Sequence, residues 1–105
     1  MTRLEQMLAF IEQDPKDSFS RYAVGLEYMS MKNYSLSVNH FEKLYELDPE
    51  YLPTYYQLGS VYAILEELVK AELIYKKGIV LAKKLGDLHT CSELELALDE
   101  LESKY

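Results

Sequence analysis

The chain has 105 residues, of which 49% are apolar and 28% are charged, a composition typical of one globular domain. Its formal net charge of −7 at pH 7 argues against nucleic-acid and anionic-membrane partners, because both are bound by Lys and Arg side chains that neutralise phosphates. With no apolar run of membrane-spanning length, an acidic Glu5 where a signal peptide would be basic, and a single cysteine, the chain is predicted to be cytoplasmic.

Apolar side chains recur at helical spacing along the chain, and Pro and Gly residues divide it into six predicted helices. The predicted ranges are about 3–13, 18–31, 34–47, 53–65, 68–84 and 91–103. The first helix begins with the capping-box pair Thr2 and Glu5, and the last has a second such pair, Thr90 and Glu93. Because the predicted loops are short, consecutive helices are expected to pack antiparallel.

A glycine interrupts two of these helices at equivalent places. Gly25 and Gly59 are 34 positions apart, and a glycine inside a helix costs about 1 kcal/mol relative to alanine. An aromatic residue, Phe41 or Tyr75, follows each glycine by 16 positions, on the next helix. Since a residue without Cβ permits the closest approach of two helices, we predict that the aromatic ring or the neighbouring backbone fills the space beside each glycine.

Further residues repeat at the same interval, and together they form a recognisable pattern. The matched pairs are Asp14 and Asp48, Pro15 and Pro49, Tyr22 and Tyr56, Tyr28 and Tyr62, and Leu47 and Leu81. The second unit reads Tyr55-x2-Leu58-Gly59-x2-Tyr62, followed by Ala71-x3-Tyr75. This resembles the tetratricopeptide repeat, a unit of 34 residues in which W-x2-L-G-x2-Y is followed by A-x3-F. The first unit departs from the pattern at Arg21, in place of the large aromatic, and at Ser37, in place of alanine.

The resemblance implies an all-α fold, a right-handed superhelix of paired helices. Repeat 1 would span about 18–51 and repeat 2 about 52–85, flanked by the first helix at about 3–13 and a capping helix at about 91–103. All of these elements are expected in a single domain, 1–105. Lys83 stands where the second unit would have its closing proline, so the fifth helix is expected to run on toward Gly86.

The resemblance also implies a non-catalytic module for protein–protein interaction, which binds a peptide or a helical segment in a concave groove lined by the first helix of each pair. The matching groove positions here are Phe19, Tyr22, Leu26, Met29, Tyr56, Gln57, Ser60 and Ala63. None of them is Lys, Arg or Asn, so the carboxylate clamp of one subclass of the family is not expected. For Tyr22 and Tyr56, an open groove and burial against the first or last helix are both compatible with the sequence.

The alternative is a self-associating structural module that forms homodimers through a terminal helix. The fifth helix carries a basic stripe, and the last helix carries acidic residues on its polar faces. The lysines are Lys70, Lys77 and Lys84 at seven-residue spacing, with Lys76 and Lys83 on the next row, and the acidic residues are Glu93, Glu95, Asp99, Glu100 and Glu102. Each row is compatible with a solvated face or with a docking patch, including one for another copy of the chain.

The residues that could support chemistry are few and separated. His89 and Cys91 are close in sequence, but a metal site needs three or four ligands and no CxxC or HxxxH motif is present. His40 lies beside the core position Phe41 and is expected at the margin of the packing. We therefore predict no enzyme activity, no cofactor and no metal.

Overall fold

A computed structural model describes residues 1–104, which form six α-helices as predicted. The helices are α1 (Arg3–Gln13), α2 (Ser18–Ser30), α3 (Tyr34–Leu47), α4 (Pro53–Ile64), α5 (Leu68–Leu85) and α6 (Leu88–Glu102). The bounds of the first five agree with the sequence prediction to within one residue. Across the described range the chain contains no β-strand.

The predicted start of the last helix is wrong. Helix α6 begins at Leu88, three residues before the predicted position, because Asp87 and not Thr90 is its N-cap. The Asp87 carboxylate accepts hydrogen bonds from the Thr90 backbone N–H at 3.0 Å and from the Thr90 hydroxyl at 2.8 Å. Just before it, Gly86 ends α5 in the left-handed region with φ of 72°, which glycine adopts without strain. The link between α5 and α6 is therefore only Gly86 and Asp87.

The N-cap carboxylates Asp17, before α2, and Asp87, before α6, are expected to make the stability of the fold sensitive to acid. Hydrogen bonds from Ser20 lower the pKa of Asp17, and hydrogen bonds from Thr90 lower the pKa of Asp87. A lowered folded-state pKa means that the stabilisation is fully present above the unfolded value of about 4 and is lost as the pH falls through the folded pKa. We expect Asp87→Asn, which keeps a capping oxygen but does not titrate, to reduce the fall in Tm between pH 5 and pH 2.5, as recorded by circular dichroism. Parallel Tm curves for variant and wild type would contradict this.

The first compact unit, Met1–Thr54, contains α1, α2 and α3, with α2 packed against both of the others. Its α1–α2 core is a cluster of Met7, Ile11 and Val24, surrounded by Leu4, Leu8, Ala23 and Tyr28. Between α2 and α3, the Phe41 ring occupies the space beside Gly25, where an added Cβ would lie closer than 3.0 Å to three ring atoms. Of the two predicted alternatives, the aromatic ring and not the neighbouring backbone therefore fills this space. Ser37 is buried beside it and donates to the Gly25 carbonyl at 3.1 Å.

The second compact unit begins at Tyr55 and repeats this arrangement. The Tyr75 ring lies beside Gly59 as Phe41 lies beside Gly25. A third close approach occurs on α5, where a Cβ on Gly78 would lie 2.7 Å from Tyr55 Cβ and 3.0 Å from Leu94 Cδ1. Helix α5 extends to Leu85, as expected from the missing proline, and its length allows α6 to pack along it.

Candidate functional site

The predicted groove residues of α2 lie along one face of the helix. Phe19, Tyr22, Leu26 and Met29 follow one another at steps of three or four residues, which places them in one row. Phe19 is 70% exposed, and the other three side chains are half-buried. The row therefore offers aromatic, aliphatic and thioether surface that a partner can reach.

The Tyr22 ring is positioned by two other aromatic rings. Its centroid lies 5.9 Å from that of Phe41 and 5.7 Å from that of Tyr51, in tilted arrangements that aromatic pairs favour. Burial raises the pKa of Tyr51, and the neighbouring Tyr22 and Asp17 raise it further. Ala23, the residue after Tyr22, packs against the α1–α2 core cluster. The orientation of Tyr22 is therefore fixed by Phe41 on α3 and by Tyr51.

The predicted positions on α4 open onto a cleft of about 200 Å³ in the second unit. The cleft is lined by Tyr56, Ser60, Ala63, Ile64, Tyr75, Ala97, Glu100, Leu101 and Lys104. Three predicted groove residues are among them, whereas Gln57 is half-buried and does not line the cleft. Tyr56 is 38% exposed, so its ring is accessible on the wall that it shares with α6 residues. Of the two alternatives for Tyr56, the structure therefore has the accessible ring and not the ring buried against the last helix.

The Tyr75 hydroxyl is a polar group in the wall of the cleft. Its hydroxyl lies 3.3 Å from Ser60 Oγ, at hydrogen-bonding distance, and its ring lies 6.4 Å from that of Tyr56. Burial is the main cause that raises the pKa of Tyr75, and the Glu100 carboxylate adds to it. The phenol therefore stays neutral at pH 7, where it can donate or accept a hydrogen bond. An apolar side chain with an adjacent polar group would find complementary surface here.

The contribution of α5 and α6 to this cleft was not predicted. Ala97, Leu101 and Lys104 succeed one another at steps of four and three residues, so one row of the chain's last segment lines the cleft. Tyr75 was expected only to pack beside Gly59, and no groove position was predicted on α5 or α6. The repeat pattern did not assign α6 to a groove, because 34 positions after Tyr56, Gly59 and Tyr62 the chain has Thr90, Glu93 and Leu96, which do not match it.

Of the three residues considered for chemistry, Cys91 and His40 lie in packed surroundings, whereas His89 is exposed with its Nε2 3.5 Å from Glu93 Oε1. Within residues 1–104, no three His, Cys, Asp or Glu side chains are grouped so that they could hold a metal ion. Burial raises the pKa of the Cys91 thiol, and the adjacent Glu95 raises it further, which disfavours the reactive thiolate. The His40 ring stacks on Tyr28 at 5.6 Å, and burial lowers its pKa, so His40 is a neutral packing residue. In the described part of the chain, no helix is both long and apolar enough to cross a bilayer.

Comparison with known proteins gives a consistent family assignment. The family model described as "Tetratricopeptide repeat" matches residues 20–51 and 52–85. Human Superkiller complex protein 3 is 27% identical over 103 residues, a match that covers 91% of this chain and 7% of that protein. The chain thus spans less than a tenth of the length of this relative.

Solved structures of similar fold extend the comparison. A tetratricopeptide repeat domain protein from Salinibacter ruber is 39% identical, with a TM-score of 0.80 over 86% of this chain and 91% of that one. The TPR2B domain of yeast Sti1, solved as a complex with pHsp70, has a TM-score of 0.91 over 97% of this chain and 82% of that one, at 11% identity. At this low identity the second similarity is evidence of fold alone.

Proposed function

The chain belongs to the tetratricopeptide repeat family, whose domains are protein–protein interaction modules, and on that premise we propose that it binds a peptide or helical segment without catalysis. The proposed contact residues are the row on α2 and the accessible positions on α4. They are Phe19, Tyr22, Leu26, Met29, Tyr56, Gln57, Ser60 and Ala63.

The observation that carries this proposal is the cleft beside Tyr56. It combines an accessible aromatic wall, the small residue Ala63 and a neutral phenol–hydroxyl pair at its inner end. Burial of one apolar side chain of a ligand in such a cleft is worth about 1.5–3 kcal/mol, and the Tyr75 hydroxyl can bond a polar group of the same ligand. Glu100 and Lys104 place opposite charges at the rim, so the cleft itself does not select strongly for the charge of the ligand.

The α2 row supports the proposal independently. Phe19 exposes most of its ring, and Tyr22 is held in one orientation by Phe41 and Tyr51. Aromatic side chains that are held in place before binding lose little conformational entropy when a ligand packs on them, and such residues are common hot spots. The structure of the Sti1 domain with pHsp70 is a precedent for ligand binding on this fold. The ligand class proposed here differs from that of a carboxylate clamp, because the groove positions of this chain lack cationic side chains.

The test is to select peptides from a random display library on the wild-type protein and to measure their affinity for matched variants. Tyr22→Ala with Tyr56→Ala is expected to weaken binding at least ten-fold, about 1.4 kcal/mol, because both accessible rings are removed. Titration calorimetry gives the affinity, and circular dichroism checks that the helices are retained.

The control is Asn39→Ala, a change on the exposed outer side of α3, which is expected to leave the affinity unchanged. Testing Tyr22→Ala and Tyr56→Ala separately assigns the loss to the α2 row or to the α4 cleft. If the folded double variant binds the selected peptides as tightly as the wild type does, the proposed contact residues are wrong. Failure of the library to yield any saturable binder would contradict the peptide-binding function itself.

A further inference from the structure

Helix α5 exposes apolar side chains on the face that points away from its own unit. Val69, Leu73 and Val80 are 76%, 53% and 68% exposed, and their spacing of four and seven residues places them in one row. In the same row, Lys76 lies between Leu73 and Val80 and Lys83 follows Val80, and both lysines are exposed. The outward face of α5, defined by these five residues, therefore combines an apolar ridge with two lysines. One of the two already has an acidic neighbour, since Lys76 Nζ lies 3.8 Å from the Glu72 carboxylate one turn before it, at an exposed position.

The first repeat shows that the fold does not require apolar residues there. One repeat length earlier, the positions of Val69, Leu73 and Val80 are occupied by polar residues on α3. They are Ser35, Asn39 and Glu46, and all three are exposed. Because α3 pairs with α2 while polar residues occupy this row, the exposed ridge on α5 contributes nothing that helix pairing needs. An apolar row rimmed by charge is characteristic of an interaction surface.

Helix α6 carries a complementary surface. Leu88 and Leu96 are 73% and 60% exposed, and they lie on the side opposite the buried Leu94. The same side bears two exposed acidic residues, Asp99 and, at its edge, Glu95, which also accepts a hydrogen bond from Cys91 Sγ at 3.7 Å. The outward face of α6, defined by these two leucines and two acidic residues, thus pairs apolar surface with negative charge, the opposite sign from the outward face of α5.

We propose that the chain self-associates, with the outward face of α5 in one copy packed against the outward face of α6 in a second copy. The apolar residues of the two faces would cover each other, while Lys76 and Lys83 lie opposite Glu95 and Asp99. The occupant is a second copy because α6 matches the ridge of α5 both in its exposed leucines and in the sign of its charge. Such local complementarity opposes the mutual repulsion of chains that each carry a net charge of −7.

A single contact of this kind leaves one outward face unused on each member of a pair, whereas a two-fold pair uses both faces of both copies. The mass reached at high concentration distinguishes growth beyond the dimer from a closed dimer. This inference does not rest on the proposed peptide binding, because it uses none of the eight groove residues. Failure of either proposal leaves the other standing.

The test uses the whole chain in sedimentation equilibrium at about 10 µM and about 1 mM, since self-association follows mass action. The mean mass of the wild type is expected to rise between these concentrations. Lys76→Glu with Lys83→Glu, and separately Glu95→Lys with Asp99→Lys, are each expected to weaken association about ten-fold or more, because each places like charges across the contact.

An equimolar mixture of the two double variants is the decisive measurement. The unaltered α6 of one variant meets the unaltered α5 of the other, so association is expected to return in the mixture. Lys16→Glu with Lys43→Glu, which makes the same charge change on exposed residues outside both faces, should leave association as in the wild type once the added net charge is screened with 0.15 M salt. A wild type that stays monomeric at 1 mM, a mixture that stays monomeric, or an equal loss in the control would each overturn the proposal.

Discussion

Replacing Gly59 with alanine is expected to destabilise the protein by about 1–3 kcal/mol, the usual cost of overpacking a core. This direction opposes intrinsic helix propensity, which favours alanine over glycine by about 1 kcal/mol. The steric effect wins because the added Cβ would lie closer than 3.0 Å to three atoms of the Tyr75 ring. That ring is only 4% exposed and its hydroxyl is at hydrogen-bonding distance from Ser60, so displacing it toward the cleft disrupts its packing and this contact. The midpoint of urea unfolding, followed by circular dichroism, measures the change.

A double-mutant cycle separates the clash from other effects of the substitution. Tyr75→Leu removes the ring, so Gly59→Ala in that background is expected to be neutral or stabilising, and the two changes should be strongly non-additive. Gly86→Ala is the matched control. It adds a Cβ with no atom within 4 Å, and it is disfavoured only because Gly86 has φ of +72°. Its effect should be the same with Tyr75 or Leu at position 75, and equal coupling in both cycles would refute the packing explanation.

The glycine–aromatic pairing was predictable because it recurs. Gly25 and Phe41 have the same separation as Gly59 and Tyr75, and a spacing that occurs twice on adjacent helices points to one packing solution. Most helix bounds were predictable for a local reason, since Pro, Gly and capping residues act within a few positions of themselves. The structure added that the ring, and not the backbone, fills the space.

The two errors have different physical causes, namely competition between two local capping patterns and dependence on tertiary packing. Asp87 and Thr90 are both good N-cap residues, three positions apart. The left-handed Gly86 ends α5 immediately before Asp87, so the chain enters the next helix at once. The missed cleft residues of α6, including Leu101, depend on how α6 packs against α5, which the periodicity of one helix does not specify.

The burial of Arg21 could not be predicted from the sequence, because it depends on tertiary contacts. The sequence shows only that an arginine replaces the aromatic of the repeat pattern, a position filled by Tyr55 in the second unit. In the structure Arg21 is 9% exposed; its Nη2 donates to the Pro15 carbonyl at 3.2 Å, whereas its buried Nε has no hydrogen-bond partner within residues 1–104. The one bond made by the guanidinium offsets part of the cost of burying it, and that geometry is set by the turn before α2.

Leu94→Ala is expected to have the largest effect of the substitutions considered, a loss of about 2–5 kcal/mol in the free energy of unfolding. Leu94 is fully buried on α6, and its Cδ1 packs beside Gly78 of α5. Truncation leaves a cavity at this close approach, which the neighbouring Tyr55 ring, itself 5% exposed, cannot readily fill. Urea unfolding followed by circular dichroism gives the loss.

Leu96→Ala, two positions along the same helix at a site 60% exposed, is the control and should change stability by no more than about 0.5 kcal/mol. The unfolding free energies of both variants should be measured at low protein concentration, where association through the outward face of α6 is negligible. Equal losses for the two variants would contradict the placement of Leu94 in the core.

Because Leu101 forms one wall of the cleft from this same helix, loosening α6 should also weaken the binding of peptides that depend on Tyr56, whereas Leu96→Ala should leave that binding intact. Stability and binding are therefore expected to fall together in the core variant and to remain unchanged in the surface variant, as they must if α6 both covers the second unit and shapes its cleft.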